Sequence, residues 1–326
     1  MKPDVVVAFA TDHKFRYYTG VALHTLMEHS SPGTRYEILI LADSLTSEDR
    51  AVFTRLVEGR ANISLRILEM REKIAELGAE NFYVETYPIA IYYRLFLHEL
   101  LPEYDRVLYL DSDIVVQADV RELFDTDLGE FMLGAVKDYV TTRLTFFAYI
   151  RNTLKVRKPG KYFNSGVLLM DLGKLRNSEF SQRVRDELGS GISFKFPDQD
   201  ILNRIFGDNI CYMNAAWNCI IGSGNTAKHK KIIHFPGIKP WFSMLNPLGA
   251  SWWAAAEKTF FVREMKEELL ASPERVKYLE NREISYYELW TSKCWRITAG
   301  LRLIFNLMKW SKNIFDGIVL GKGGEL

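Results

Sequence analysis

Short apolar runs of strand character alternate with stretches of helical spacing along the first third of the chain, and that alternation restricts the fold more than any single motif. Val5 to Ala10, Tyr36 to Leu41 and Ile63 to Leu68 are patterned as strands. Phe15 to His29 and Thr46 to Val57 have helical spacing, with Thr46 or Ser47 as cap of the second. Strands separated by helices build parallel βαβ units rather than a sandwich. Further along, Pro88 to Leu100 reads as a helix with proline near its start, and Ser178 to Leu188 and Asp198 to Phe206 as two more. Arg106 to Leu110, Phe131 to Val136, Val167 to Asp171 and Lys231 to Phe235 read as strands. Thr141 to Lys161 is polar, basic and aromatic without clear period, which fits a helical insertion or a flap. The expected class is α/β, with a Rossmann-like, mostly parallel central sheet flanked by helices.

Asp-x-Asp occurs three times. Asp111-Ser112-Asp113 is gripped between the apolar runs Val107 to Leu110 and Ile114 to Val116. That puts two carboxylates at the carboxyl end of a buried strand, where open α/β sheets bind ligands. Burying charge there costs several kcal/mol unless it is paired or metal-bound. Two acids one residue apart can both reach a divalent cation, and a cation can carry the phosphates of a nucleotide. Asp125-Thr126-Asp127 lies beside Gly129 and reads as a solvated cap or turn. Asp198-Gln199-Asp200 opens a helix, so capping competes with chemistry.

A chain of 326 residues can bury one large α/β domain plus a smaller appendage. With 42 basic and 41 acidic residues it has no global attraction for nucleic acid. The basic run Lys228-His229-Lys230-Lys231 lacks interleaved aromatics and reads as a solvated loop. Cys211, Cys219 and Cys294 form no CxxC pair and fit reduced thiols in a cytoplasmic protein. The amino terminus lacks the pattern of a secretory signal, and no window holds the roughly twenty apolar residues of a spanning helix.

From Thr291 to Leu326, six basic residues face two acidic ones. Within Arg296 to Ile314, Arg302, Asn306, Lys309 and Asn313 form one helical stripe against a broad apolar face. Such a helix suits the interface of an anionic membrane, or docking on the chain's own core or on a second subunit of a homo-oligomer. The expected division is a catalytic domain over 1–260 and a helical extension over 261–326.

Five segments in order carry a resemblance. They are Thr11-Asp12, Asp111-Ser112-Asp113, Tyr162-Phe163-Asn164-Ser165-Gly166-Val167, Asp198-Gln199-Asp200, and His234-Phe235-Pro236-Gly237-Ile238-Lys239-Pro240-Trp241. Over roughly residues 4 to 260 the chain resembles glycosyltransferase family eight, retaining enzymes with a GT-A fold that include lipooligosaccharide galactosyltransferases and glycogenin.

The resemblance implies a UDP-sugar donor, UDP-glucose or UDP-galactose, and a saccharide or lipid-linked glycan acceptor. Asp111, Asp113 and His234 would bind Mn²⁺. Oxygen ligands with one imidazole suit that ion, whereas a Mg²⁺ site more often uses carboxylate and water alone. Ala10, Thr11 and Asp12 would read uracil and ribose, with Phe15 stacking on the base. Arg94 and Ser112 join the donor set. Gly237 and Lys239 would meet the diphosphate, with one residue, Ile238, between them where the family usually has two. Asn164, Asp198 and Gln199 would contact the sugar, Gln199 nearest the anomeric carbon. A glutamine amide is neutral and delocalised, a poor nucleophile.

Read without the family, Asp12 is equally a helix cap, Asn164 a turn residue, His234 a half-buried strand-end histidine and Arg94 a surface charge. Two other classes stay open. Val107 to Val115 also resembles the first motif of Mg-dependent haloacid-dehalogenase-type phosphatases, with Asp111 as nucleophile and Asp113 as acid/base. That reading needs an acid four residues after Asp208, where Tyr212 stands. The other is a non-catalytic, membrane-associated nucleotide-sugar-binding protein.

Overall fold

The computed structural model describes residues 2–76, 88–139, 144–221, 227–237, 239–242 and 249–272. Its strands are β1 (Val5–Asp12), β2 (Tyr36–Asp43), β3 (Ile63–Glu69), β4 (Arg106–Leu110), β5 (Ile114–Val116), β6 (Leu133–Lys137), β7 (Phe163–Asp171), β8 (Cys211–Tyr212), β9 (Cys219–Ile220) and β10 (Ile232–His234). Seven form one sheet in the order β3-β2-β1-β4-β7-β6-β8, and β5-β10-β9 form a second. The β3–β2, β2–β1, β1–β4 and β6–β8 pairs are parallel, and β7 runs antiparallel to β4 and β6. The expected mostly parallel, helix-flanked sheet is what the chain forms.

Alternate residues of the central strands feed two apolar cores. Val5, Val7 and Phe9 of β1, with Leu108 and Leu110 of β4, face the first helices of the chain. Val6 and Ala8, with Val107 and Tyr109, face the later ones. Both faces are covered, which is why β1, β2 and β4 are near-continuous apolar runs. The helix Ser47–Val57 starts at a capping box: Thr46 accepts from the Asp49 amide, and the Asp49 carboxylate accepts from the Thr46 amide. Thr46, not Ser47, is therefore the cap.

Pro88 to Leu100 departs from the expected single α-helix. Ile89–Leu95 is a 3₁₀-helix, followed by the short α-helix Leu97–Leu100. Tyr92, Tyr93, Arg94, Leu95 and Phe96 are all buried in succession. An α-helix with one solvent-facing side would have exposed some of them. The aperiodic stretch contains the α-helix Leu144–Asn152, whose Phe146, Tyr149 and Ile150 build a small core with Tyr162.

The chain divides into two compact units, Met1–Met265 and Lys266–Leu326. Most of the second, including Cys294 and the expected helix Arg296 to Ile314, lies outside the described residues. Among the described residues no helix is long and apolar enough to cross a membrane.

Candidate active site

Strand order reverses between β1 and β4: the connections from β1 go to β2 and β3 on one side, and β4 joins on the other. Crevices at such a switch point, beyond the carboxyl ends of the strands, are the ligand sites of open α/β sheets. A cavity of about 360 Å³ opens there. Ala10, Thr11, Asp12 and Phe15 line it from the end of β1, and Asp111, Ser112 and Asp113 from the end of β4. Arg94, Asn164, Asp198, Gln199, His234 and Lys239 complete it from other elements.

The loop Asp111-Ser112-Asp113 joins the two sheets. Its first residue is tied to β7, the Asp111 amide donating to Gly166 O at 2.8 Å. Its last leads into β5, where Ile114 is paired with His234 of β10 and the Phe235 amide donates to Asp113 O at 3.0 Å. Strand register thus brings a histidine distant in sequence opposite the two acids. Asp111, Asp113 and His234 each offer a ligand atom within 4.8 Å of the others, the spacing a divalent cation needs.

His234 is 1% exposed, so it is buried rather than half-buried. Its Nε2 lies 3.2 Å from Asp113 Oδ1 and 3.6 Å from Asp111 Oδ2 but forms no hydrogen bond with either. A buried ring nitrogen facing two carboxylates without a hydrogen bond fits a cation ligand. Burial would raise the Asp113 carboxyl, yet the neighbouring Lys239 ammonium outweighs it and the carboxyl stays well below the usual carboxylate range. Lys239 Nζ sits on Asp113 Oδ2. Gly166 makes the approach possible: a Cβ there would stand 2.5 Å from Asp111 Oδ2 and 3.0 Å from His234 Nε2.

Arg94 is the buried hub of the opposite wall, not a surface charge. Its guanidinium pairs with Asp111 at 2.8 Å and Asp198 at 3.2 Å, donates to Ser165 O at 2.9 Å and stacks over Tyr109. Burial pushes the Asp198 carboxyl up, and Arg94 only partly opposes it. Gln199 is held on both ends: its amide donates to Asp138 at 3.1 Å, while its oxygen accepts from Asn164 Nδ2 at 2.9 Å and the Ser165 amide at 3.0 Å. Asn164 belongs to the interior of β7, not to a turn. Its polar side chain is buried because every polar end is met.

The remaining expected residues are distributed unevenly. Asp12 closes β1 and lines the cavity, and its carboxylate accepts from the Phe15 amide at 2.9 Å, but the helix Arg16–Glu28 begins at Phe15 without a side-chain cap. Gly237 is exposed and does not line the cavity, whereas Lys239 does. Asp200, the third member of its triplet, turns away to Tyr149 and Tyr162. Asp208 is ion-paired with Lys158 on the surface and lines no part of the cavity, which removes the support a phosphatase site would need.

Sequence reasoning passed over Asp138 and Asn218. Asp138 directly follows β6, which runs parallel to β4, so the strand-end position that marked Asp111 marked it too. Asn218 had no such signal, lying in a 3₁₀ turn over Ala215–Asn218.

Residues 6–244 match the family model described as Glycosyl transferase family 8. A lipopolysaccharide 1,2-glucosyltransferase of Escherichia coli is 24% identical over 264 residues, covering 76% of each chain. General stress protein A of Bacillus subtilis is 23% identical over 262 residues, covering 73% of this chain and 87% of its own. Galactosyltransferase LgtC, solved in complex with donor and acceptor sugar analogs, superposes with a TM-score of 0.62 at 27% identity, over 84% of this chain and 99% of LgtC. The bifunctional glycosyltransferase WbbM shares the fold, with a TM-score of 0.69 at 23% identity over 83% of this chain, which spans 52% of WbbM. Family match and likeness of fold agree: the chain belongs to glycosyltransferase family 8 and is a glycosyltransferase of GT-A fold.

Proposed function

We propose that the chain is a metal-dependent, retaining hexosyltransferase that moves glucose or galactose from its UDP-sugar to a hydroxyl of a saccharide or lipid-linked glycan. The observation that carries the metal-dependent part is the buried His234 Nε2, which faces the Asp111 and Asp113 carboxylates without a hydrogen bond. Asp111, Asp113 and His234 hold the cation, Mn²⁺ by preference and Mg²⁺ as the alternative. The names of the E. coli lipopolysaccharide glucosyltransferase and of LgtC support a hexose donor and a glycan acceptor.

In this reading Ala10, Thr11, Asp12 and Phe15 receive uridine at the end of β1. Breaking the bond from the sugar's anomeric carbon to the diphosphate builds negative charge on the leaving oxygen and positive charge on the ring. A bound divalent cation supplies counter-charge to the diphosphate. Lys239 brings a second positive charge to the same end of the cavity. Asn164, Asp198 and Gln199 orient the hexose.

Gln199 has its oxygen engaged by Asn164 and Ser165, so its lone pairs are not available for attack on carbon. The acceptor hydroxyl attacks from the face the diphosphate leaves, and the departing phosphate oxygen takes its proton. Configuration is retained. The exposed ring of Phe196, which lines the cavity and touches Phe146, offers an apolar face to an acceptor sugar. The basic, apolar segment 291–326 is read as a peripheral membrane contact of a cytoplasmic protein, with a homo-oligomer contact as its alternative.

Hydrolysis of UDP-glucose and UDP-galactose without acceptor, with and without Mn²⁺, tests this directly. Mn²⁺-dependent UDP release from one of them is expected, and no release with any divalent cation from a folded chain sinks the reading. A glycosyl adduct on wild-type Asp198 in the mass spectrum would overturn front-face attack alone.

A further inference from the structure

A neutral imidazole carries its proton on one nitrogen, and the acceptor on the other side of the ring decides which. For His234 the neighbour of Nδ1 is Asn218 Oδ1 at 2.9 Å. An asparagine can present either end, so something outside the pair must fix it.

Two backbone amides do. The Gly166 N–H, which can only donate, points at Asn164 at 2.9 Å and so requires the oxygen of that side chain. The Ser165 N–H likewise requires the oxygen of Gln199 at 3.0 Å. Asn164 Nδ2 then donates to Gln199 at 2.9 Å, in agreement with both. Because Asn164 Oδ1 is an acceptor, the atom of Asn218 that meets it at 2.8 Å must be Nδ2. Asn218 Oδ1 is thereby turned to the ring, where it accepts from Nδ1–H. Asn218 and Asn164 are 1% and 4% exposed, so water does not offer either amide an alternative partner.

We propose that Asn218 is a positioning residue that keeps a proton on His234 Nδ1, so that Nε2 is the nitrogen presented to a cation in the gap between Asp111 and Asp113. The inference rests on the reading of those three side chains as a divalent-cation site and goes beyond it. It assigns the affinity of that site to a relay that starts at the backbone of β7 and passes through Asn164, which also binds Gln199. Second-shell partners of this kind are worth roughly 10–100-fold in metal affinity.

The test uses the full chain without nucleotide. In metal-free, ¹⁵N-histidine-labelled wild type, long-range ¹H–¹⁵N correlations should show the His234 proton on Nδ1. Mn²⁺ titration followed by electron paramagnetic resonance should show Asn218→Ala weakened by about 10–100-fold. Asn218→Asp, whose carboxylate still accepts from Nδ1, should recover most of that loss. Both variants lose the donation to Asn164, so a merely structural role predicts equal losses.

A wild-type ring with no proton on Nδ1, a folded Asn218→Ala with wild-type affinity, or equal losses in the two variants would each overturn the proposal. If neither variant folds, the wild-type spectrum still decides. Wild type that carries Nδ1–H yet binds no Mn²⁺ overturns the cation-site reading and this inference together. Tight Mn²⁺ binding with the opposite tautomer overturns this inference alone.

Discussion

Asp111-Ser112-Asp113 and Asp198-Gln199-Asp200 have the same spelling, acid–polar–acid, and the chain uses them in different ways. At the end of β4 the triplet is the bend between β4 and β5, with the Asp111 amide held by Gly166 O and Asp113 leading into the strand that pairs with His234. Both carboxylates meet His234, while Ser112 turns back and donates to Ala10 O at 3.0 Å. In the helix Pro197–Phe206, residues two apart are separated by about 200°. Asp198 reaches Arg94 and the cavity, and Asp200 points away to two tyrosine hydroxyls at 2.6 and 2.5 Å. Spacing between acids acquires chemical meaning only with the backbone that carries them, a bend between two strands in one case and a helical turn in the other.

Substitution of Asp113 should break that contrast most forcefully. Asp113→Asn removes a charged ligand from the proposed cation set, and Lewis-acid stabilisation of a leaving group is worth several kcal/mol. Donor hydrolysis should fall by about 10³-fold, at roughly 1.4 kcal/mol per tenfold. Mn²⁺ affinity should fall with it while the far-ultraviolet circular dichroism is kept. Near-normal turnover would mean that the pair at the end of β4 is as structural as Asp200.

Asp200 should show the reverse pattern. Besides the tyrosines, its Oδ2 accepts from the Lys195 and Phe196 amides at 3.0 Å each, which closes the start of the helix. Asp200→Ala leaves these buried donors short of an acceptor, at about 1–3 kcal/mol for an unsatisfied group. Urea denaturation should show a loss of about 3 kcal/mol, with Mn²⁺ affinity within error of wild type. A fall in metal affinity larger than the fall in stability would show that the two triplets act as one site.

How much of this was legible divides along the same line. β1, β2 and β4 stand close to where apolar runs put them, because a strand buried on both faces has to be apolar throughout, and the half-exposed β3 stands where its alternation put it. β7 begins at Phe163, four residues before the expected Val167, because Asn164-Ser165-Gly166 has the composition of a turn. Those residues are strand only because Gln199, Arg94 and Asn218 satisfy their polar groups, and such partners are invisible in a local window. Asp111, Asp113 and His234 could be grouped only through the family resemblance that the ordered segments carry, since read alone His234 is a strand-end histidine. That Arg94 would be buried was not legible, since its two acids come from different elements.

Acid titration of stability sharpens the comparison with a smaller effect. Burial pushes the Asp200 carboxyl above its ordinary 3.8, against the pull of Tyr149, Tyr162 and the Phe196 amide. Between that raised value and 3.8 the native state holds a proton that the unfolded chain has released. Unfolding free energy contributed by this group therefore falls as pH rises through the window and is recovered as pH falls. Asp200→Asn has no such proton, so the stability difference, wild type minus variant, should widen toward acid. A difference that is flat or narrows would show that the tyrosine hydrogen bonds outweigh burial.

The third triplet, Asp125-Thr126-Asp127, bounds the comparison from below. Asp127 accepts from the Gly129 amide at 2.8 Å in an exposed turn, where Gly129 has φ +55°. Asp125 pairs with Arg121 at 3.2 Å with both side chains about half exposed. Water replaces either partner at little cost, so an exposed pair of this kind contributes at most about 1 kcal/mol and often nothing measurable. Asp125→Ala and Asp127→Ala should each change the unfolding free energy by less than about 0.5 kcal/mol and leave Mn²⁺ affinity and donor hydrolysis at wild-type values. A loss of metal affinity from either would mean that acid–polar–acid spelling matters here independently of burial and backbone setting, and the distinction drawn between the other two triplets would lose its physical basis.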